Sequence, residues 1–210
     1  MTTRIARIFS VFAFASLFAS LFATGAEAHH AMDGQTPTTL YEGLVSGLAH
    51  PVIGLDHLAF IVAAGLIAAV AGMSLFAPLL FVAGSLIGVG LHLMLLDLPA
   101  AEIIIAASVL AGGWLLARGR AVENQILVFA LFLVVGLFHG YAFGEAIVGS
   151  EETPLIAYLA GLAAIQSVIA LGVYFLVRSR GWAIEAMQPR LAGAAILGVG
   201  VTFLAGHLVG

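Results

Sequence analysis

The chain contains no lysine and no cysteine, and only 9% of its 210 residues are charged. Without cysteine there can be no disulfide, thiolate metal site or cysteine nucleophile. Without lysine, and with a net charge of −4, there is no polybasic surface for nucleic acid. Charged residues make up about 25% of an average soluble domain. This shortfall, with 62% hydrophobic residues and a mean hydropathy of +1.16, marks an integral membrane protein. The phosphate-cradling GxxxxGK loop is missing too, so the chain does not itself hydrolyse ATP. Nor is there a GxSxG elbow or an HExxH helix, and nothing points to an enzyme or an organic cofactor.

What is present begins with a segment that reads as a cleavable signal peptide, residues 1–28. Arg4 and Arg7 supply the basic n-region, residues 8–24 the apolar h-region, and Ala26-Glu27-Ala28 an A-x-A cleavage site. An uncleaved signal anchor is the alternative, since the apolar run is a little long. Cleavage leaves a mature chain of 29–210 that starts at His29-His30 outside the cytoplasm. Six apolar stretches follow, at 56–72, 75–95, 100–117, 125–142, 155–177 and 191–209, each approaching the roughly 20 residues of a membrane span. The first is short and extends back through "GLVSGLAHPVIG" as a broken or interfacial piece. Tight connections at Pro78, Pro99, Gly149 and Pro154 leave no room for a soluble domain. The expected fold is all-α, a single membrane domain of six transmembrane helices.

With the mature amino terminus outside, every arginine falls on the cytoplasmic side: Arg4, Arg7, Arg118, Arg120, Arg178, Arg180 and Arg190. Every histidine falls on the outer side, as do Asp33, Glu42, Asp56, Asp97, Glu102, Glu145, Glu151 and Glu152. Such a vestibule attracts divalent cations. Three helices precede the 118–123 loop and three follow it, a topology compatible with a 3+3 inverted repeat.

Two stretches concentrate the chemistry. In "LAHPVIGLDHLAFIVAAGL", His50 and His57 would lie about 10 Å apart along a continuous helix, too far to share an ion. Pro51 and Gly54 favour a break that brings them together. Asp56 could then ligate the ion, orient an imidazole, or simply cap the helix. In "FHGYAFGEAI", His139 and Glu145 converge only if Gly140 or Gly144 bends the chain; the glycines could equally serve close packing. His92 and Glu102 are lone polar residues near outer helix ends, and for Glu102 a first-turn position explains a carboxylate by itself. His29 and His30 would offer nitrogen donors at a free amino terminus. The small-residue pattern Gly84–Gly88 reads as a packing face.

At these residues the sequence resembles the HupE/UreJ family of nickel/cobalt permeases. "HPVIGLDH" is similar to that family's H-P-x-x-G-x-D-H signature, and "FHGYAFGE" to its F-H-G-x-A-x-G-E signature. The resemblance implies uptake of Ni²⁺, or Co²⁺, across the bacterial inner membrane, with a functional link to hydrogenase or urease maturation. It implies that His50, Asp56, His57, His139 and Glu145, with Glu102, serve transport. There is one departure: many members carry a histidine where this chain has Phe143. Nitrogen and oxygen donors also suit Zn²⁺ and Cu²⁺. Two other readings compete with a permease. One is a non-transporting membrane subunit for metal binding or assembly. The other is a haem-binding redox protein held by histidines such as His92 and His139.

Overall fold

A computed structural model describes residues 35–209. The predicted signal peptide and His29-His30 lie outside those residues. The described chain is all-helical, with α1 Leu40–Ile53, α2 Leu55–Val70, α3 Phe76–Leu93, α4 Ala101–Ala117, α5 Gln125–Gly144, α6 Glu152–Arg180 and α7 Met187–Val209. A 3₁₀ turn, Glu145–Ile147, follows α5.

Helix ends follow local chemistry. Thr39 and Glu42 form a capping box that starts α1, and the Asn124 side chain accepts from Leu127 N–H at the start of α5. α6 stops at Gly181, whose φ of 63° is left-handed, with Trp182 N–H reaching back to Val177 O.

Four helices, α3, α5, α6 and α7, are long and apolar enough to cross a membrane. α1 and α2 qualify as a fifth span if taken together, although they meet at 79°. α4 is apolar but has only 17 residues. The bundle's exterior is itself apolar, with Ile126, Val168, Phe175 and Val201 exposed. In water that surface would be untenable; in lipid it is the solvent-matched face.

The helices pair through small residues. Along α3 and α5, Gly84 and Gly88 lie on Leu133 and Leu137, while Gly136 and Gly140 lie on Phe81 and Ser85. A Cβ at Gly140 would strike the Ser85 carbonyl. The Gly84–Gly88 pattern is therefore a packing face, and the rising numbers on both sides show that α3 and α5 run parallel. α1 runs parallel to α6, with Gly43 on Pro154 and Gly47 on Tyr158, and α2, turned away by 79°, meets α6 further along with Gly65 on Ala170. α4 and α7 are antiparallel, with Gly113 on Leu197 and Gly200 on Leu110.

The apolar core centres on α2, whose residues from Ala59 to Ala69 are nearly all buried. All described arginines lie at one end of the bundle, near the ends of α4 and α6 and the start of α7. The opposite end holds the starts of α1, α4 and α6. The stretch before α2 is thus a helix broken from it, with one buried face of Gly43, Ser46, Gly47, His50 and Pro51 lying along the first turns of α6.

Candidate metal passage

Pro51 stays inside α1, and the chain breaks three residues later at Gly54. Gly54 N–H still bonds His50 O at 3.1 Å. A Cβ at Gly54 would come within 2.6 Å of the His57 ring. Glycine therefore lets that imidazole fold back over the break. The 79° turn brings the His50 and His57 ring centroids to 6.3 Å. A metal–imidazole bond of about 2.1 Å places an ion roughly 3.2 Å from each ring centroid, so at this separation two rings share one only by facing it from nearly opposite sides.

His57 also meets a histidine from α5. Its Nδ1 lies 2.8 Å from Nδ1 of His139. The Nε2 of His139 lies 3.0 Å from Ser108 Oγ on α4. Rings of Phe60 and Phe81 flank His139, with centroids 5.1 and 5.3 Å away. His50, Asp56, His57 and His139 are all buried.

Each hydroxyl has one hydrogen to give, and where it goes sets the proton on the facing imidazole nitrogen. If the Ser108 hydrogen goes to Ile105 O at 2.7 Å, the hydroxyl accepts from His139 Nε2–H. A neutral His139 then accepts at Nδ1, and His57 donates from its own Nδ1. Likewise Tyr158 donates to Phe143 O at 2.7 Å and so accepts from His50 Nδ1 at 3.0 Å. A neutral His57 in that arrangement keeps its lone pair on Nε2, the state a metal ligand requires. Nothing in the sequence pattern singled out Tyr158 or Ser108; the available signal was a hydroxyl in an otherwise apolar stretch.

The remaining candidates are placed as follows. Asp56 Oδ1 accepts from the His57 backbone N–H at 2.8 Å, in the first turn of α2. That bond serves the helix end. α5 runs through Gly140 unbroken to Gly144, and Glu145 lies exposed beyond it. The glycines pack helices and do not fold Glu145 onto His139. Glu102, in the first turn of α4, lies 3.7 Å from His207 Nε2. It is close enough to Asp56, His57 and Glu145 to feel their charges. His92 packs against the Tyr141 ring at 4.5 Å, apart from the histidine pair. Among the described residues no three His, Asp or Glu side chains converge on one metal position. Phe143 is fully buried and touches both imidazoles, with centroids 5.1 Å from His50 and 4.4 Å from His57.

A family model described as HupE / UreJ protein matches residues 17–203. The chain belongs to the HupE/UreJ family. Protein HupE of Rhizobium leguminosarum bv. viciae is 32% identical over 171 residues, covering 79% of this chain and 86% of that protein. No solved structure matches. Membership in the HupE/UreJ family supports a multi-pass membrane protein and metal transport in general, and this is a transporter-type family rather than an enzyme family. Its matched span takes in α1 to α6 and most of α7, so both histidine motifs lie inside it.

Proposed function

We propose that this chain is an ATP-independent permease carrying Ni²⁺, and Co²⁺ with it, across the bacterial inner membrane into the cytoplasm. The observation that carries the reading is the break at Gly54, which sets His50 and His57 6.3 Å apart inside an apolar bundle. Among the described residues no group of three His, Asp or Glu could hold the ion, which suits passage over retention, because a conducting site must release its ion. Glu102, Glu145 and His207 form the rim, with the histidine end outside and the arginine end in the cytoplasm. His29 and His30, at the mature amino terminus, would capture the ion first, and the delivered metal would serve hydrogenase or urease maturation. The bent pair and α4 each count as a span, which gives six. The helix pairing fits a 3+3 inverted repeat: exchanging the halves carries the α1–α2 pair with α6 into α5 with α3, and α4 with α7 into itself.

The test is radiolabelled Ni²⁺ influx into proteoliposomes, with Co²⁺ and Zn²⁺ as competitors. Saturable flux above empty liposomes is expected, reduced more by Co²⁺ than by Zn²⁺. Metal binding in detergent without flux would move the function to a binding or assembly subunit.

Phe143 gives a sharper prediction. Its ring occupies the place from which a third imidazole would reach the ion. Phe143→His is expected to tighten Ni²⁺ binding about tenfold and to slow maximal flux, measured by equilibrium dialysis and by initial uptake rates. Unchanged affinity would mean that position 143 does not face the ion.

A further inference from the structure

One polar pair lies apart from the histidine network, at mid-depth in the bundle. Gln166 is the central residue of the 29-residue α6, and Ser85 sits half-way along α3. Both are 0% exposed. Ser85 Oγ lies 2.8 Å from Val82 O and 3.1 Å from Gln166 Oε1, while Gln166 Nε2 has no partner. A serine hydroxyl has one hydrogen to give. If it goes to Gln166 Oε1, the amide nitrogen is bare. If it goes to Val82 O, the amide turns to donate to Ser85 Oγ, and its oxygen is bare instead. In either case one end of the amide faces a dry interior where almost every buried polar group is paired. A staple between two helices would need only the end that meets Ser85.

The position of the pair matters as much as its open end. The Ser85 carbonyl packs on Gly140, the neighbour of His139. Phe81, one turn before Ser85, lies edge-on to the His139 ring at 5.3 Å. On α6, Gln166 comes eight residues, about 12 Å, after Tyr158, which holds His50. Eight residues further on is Tyr174, whose hydroxyl donates to Met73 O at 2.9 Å. The buried stripe of α6 thus carries polar groups at regular depth from the histidines towards the arginine end, through an otherwise apolar core.

The geometry points to Gln166 as a binding station for the permeating divalent cation, the next inward from the His57–His139 pair, with its amide oxygen as donor and Ser85 as the positioning residue. This assignment rests on the permease reading above. Its test is Ni²⁺ influx in proteoliposomes by wild type, Gln166→Leu and Ser85→Ala, with Ni²⁺ binding in detergent measured in parallel. Gln166→Leu is expected to cut flux at least tenfold while detergent binding stays within twofold, and Ser85→Ala to cost less than threefold. Equal losses in both variants would show a staple between α3 and α6 and overturn the assignment. Normal flux in Gln166→Leu would overturn it and leave the permease standing. A wild type without flux would overturn both. Should Gln166→Leu not fold, Gln166→Glu decides the matter: its carboxylate is expected to hold Ni²⁺, adding bound metal per protein and lowering flux, and unchanged stoichiometry would refute the station.

Discussion

Replacing His57 by alanine is expected to abolish saturable Ni²⁺ flux, a loss of at least about a hundredfold, since second-shell changes alone cost 10–100-fold. His57 is the hub of the site. Its ring faces His50 at 6.3 Å and Phe143 at 4.4 Å, and its Nδ1 bonds His139 at 2.8 Å. Alanine removes a nitrogen donor to the ion and strands the His139 acceptor in an apolar cage. Collapse of the cage could mimic a loss of ligation, and His57→Asn separates the two. The asparagine amide can donate to His139 as Nδ1 did, yet it offers no ring nitrogen to the ion. His57→Asn should therefore recover the wild-type melting temperature without recovering flux. Uptake within threefold of wild type in either variant would remove His57 from the route.

The second large effect concerns the backbone. Gly140→Val is expected to abolish correctly folded protein, because its Cβ points at the Ser85 carbonyl with the main chain of α3 behind it. Overpacking a soluble core costs about 1–3 kcal/mol. Here the obstacle is backbone and cannot rotate away. Lipid also supplies no hydrophobic force between helices to offset the separation. Any shift of α5 away from α3 would carry His139 off His57 as well. Gly90→Val on α3 is the control, since a Cβ there meets nothing within 4 Å. Size-exclusion profiles and thermal melts should show Gly140→Val aggregated and Gly90→Val like wild type. Matching melts for the two would mean that α3 and α5 do not depend on that approach.

Much of this was legible in the sequence. The apolar stretches predict the helices to within a few residues, because long runs in lipid leave the chain no other way to satisfy its backbone. Some ends moved outward: the fifth stretch, 155–177, becomes Glu152–Arg180 and the sixth, 191–209, becomes Met187–Val209. The break between His50 and His57 was legible from Pro51 and Gly54, although only Gly54 ends the helix. α1 reads as interfacial in sequence because Gly43, Ser46, Gly47 and Pro51 are small or weakly apolar. In the fold, those residues let it press against α6. The contact between His57 and His139 was not legible, since 82 residues separate them and only their side chains bridge α2 and α5. Tyr158, Ser108 and Gln166 were passed over for a similar reason. Each is a lone polar side chain whose partner sits on another helix, and no spacing rule reaches across helices.

The bend at Gly54 has an electrical side. It sets the C-terminal end of α1 and the N-terminal end of α2 at one depth, beside the two imidazoles. A helix end carries roughly half an elementary charge, negative at the C-terminus and positive at the N-terminus. Asp56, buried in the first turn of α2, neutralises the positive end by accepting the His57 N–H. The negative end of α1 has only the imidazole of His50 in its last turn. With the two main-chain ends of opposite sign side by side, the Asp56 carboxylate tips the balance to a negative potential at the break. A cation reaching that depth is drawn towards the gap between the histidines before either nitrogen binds it.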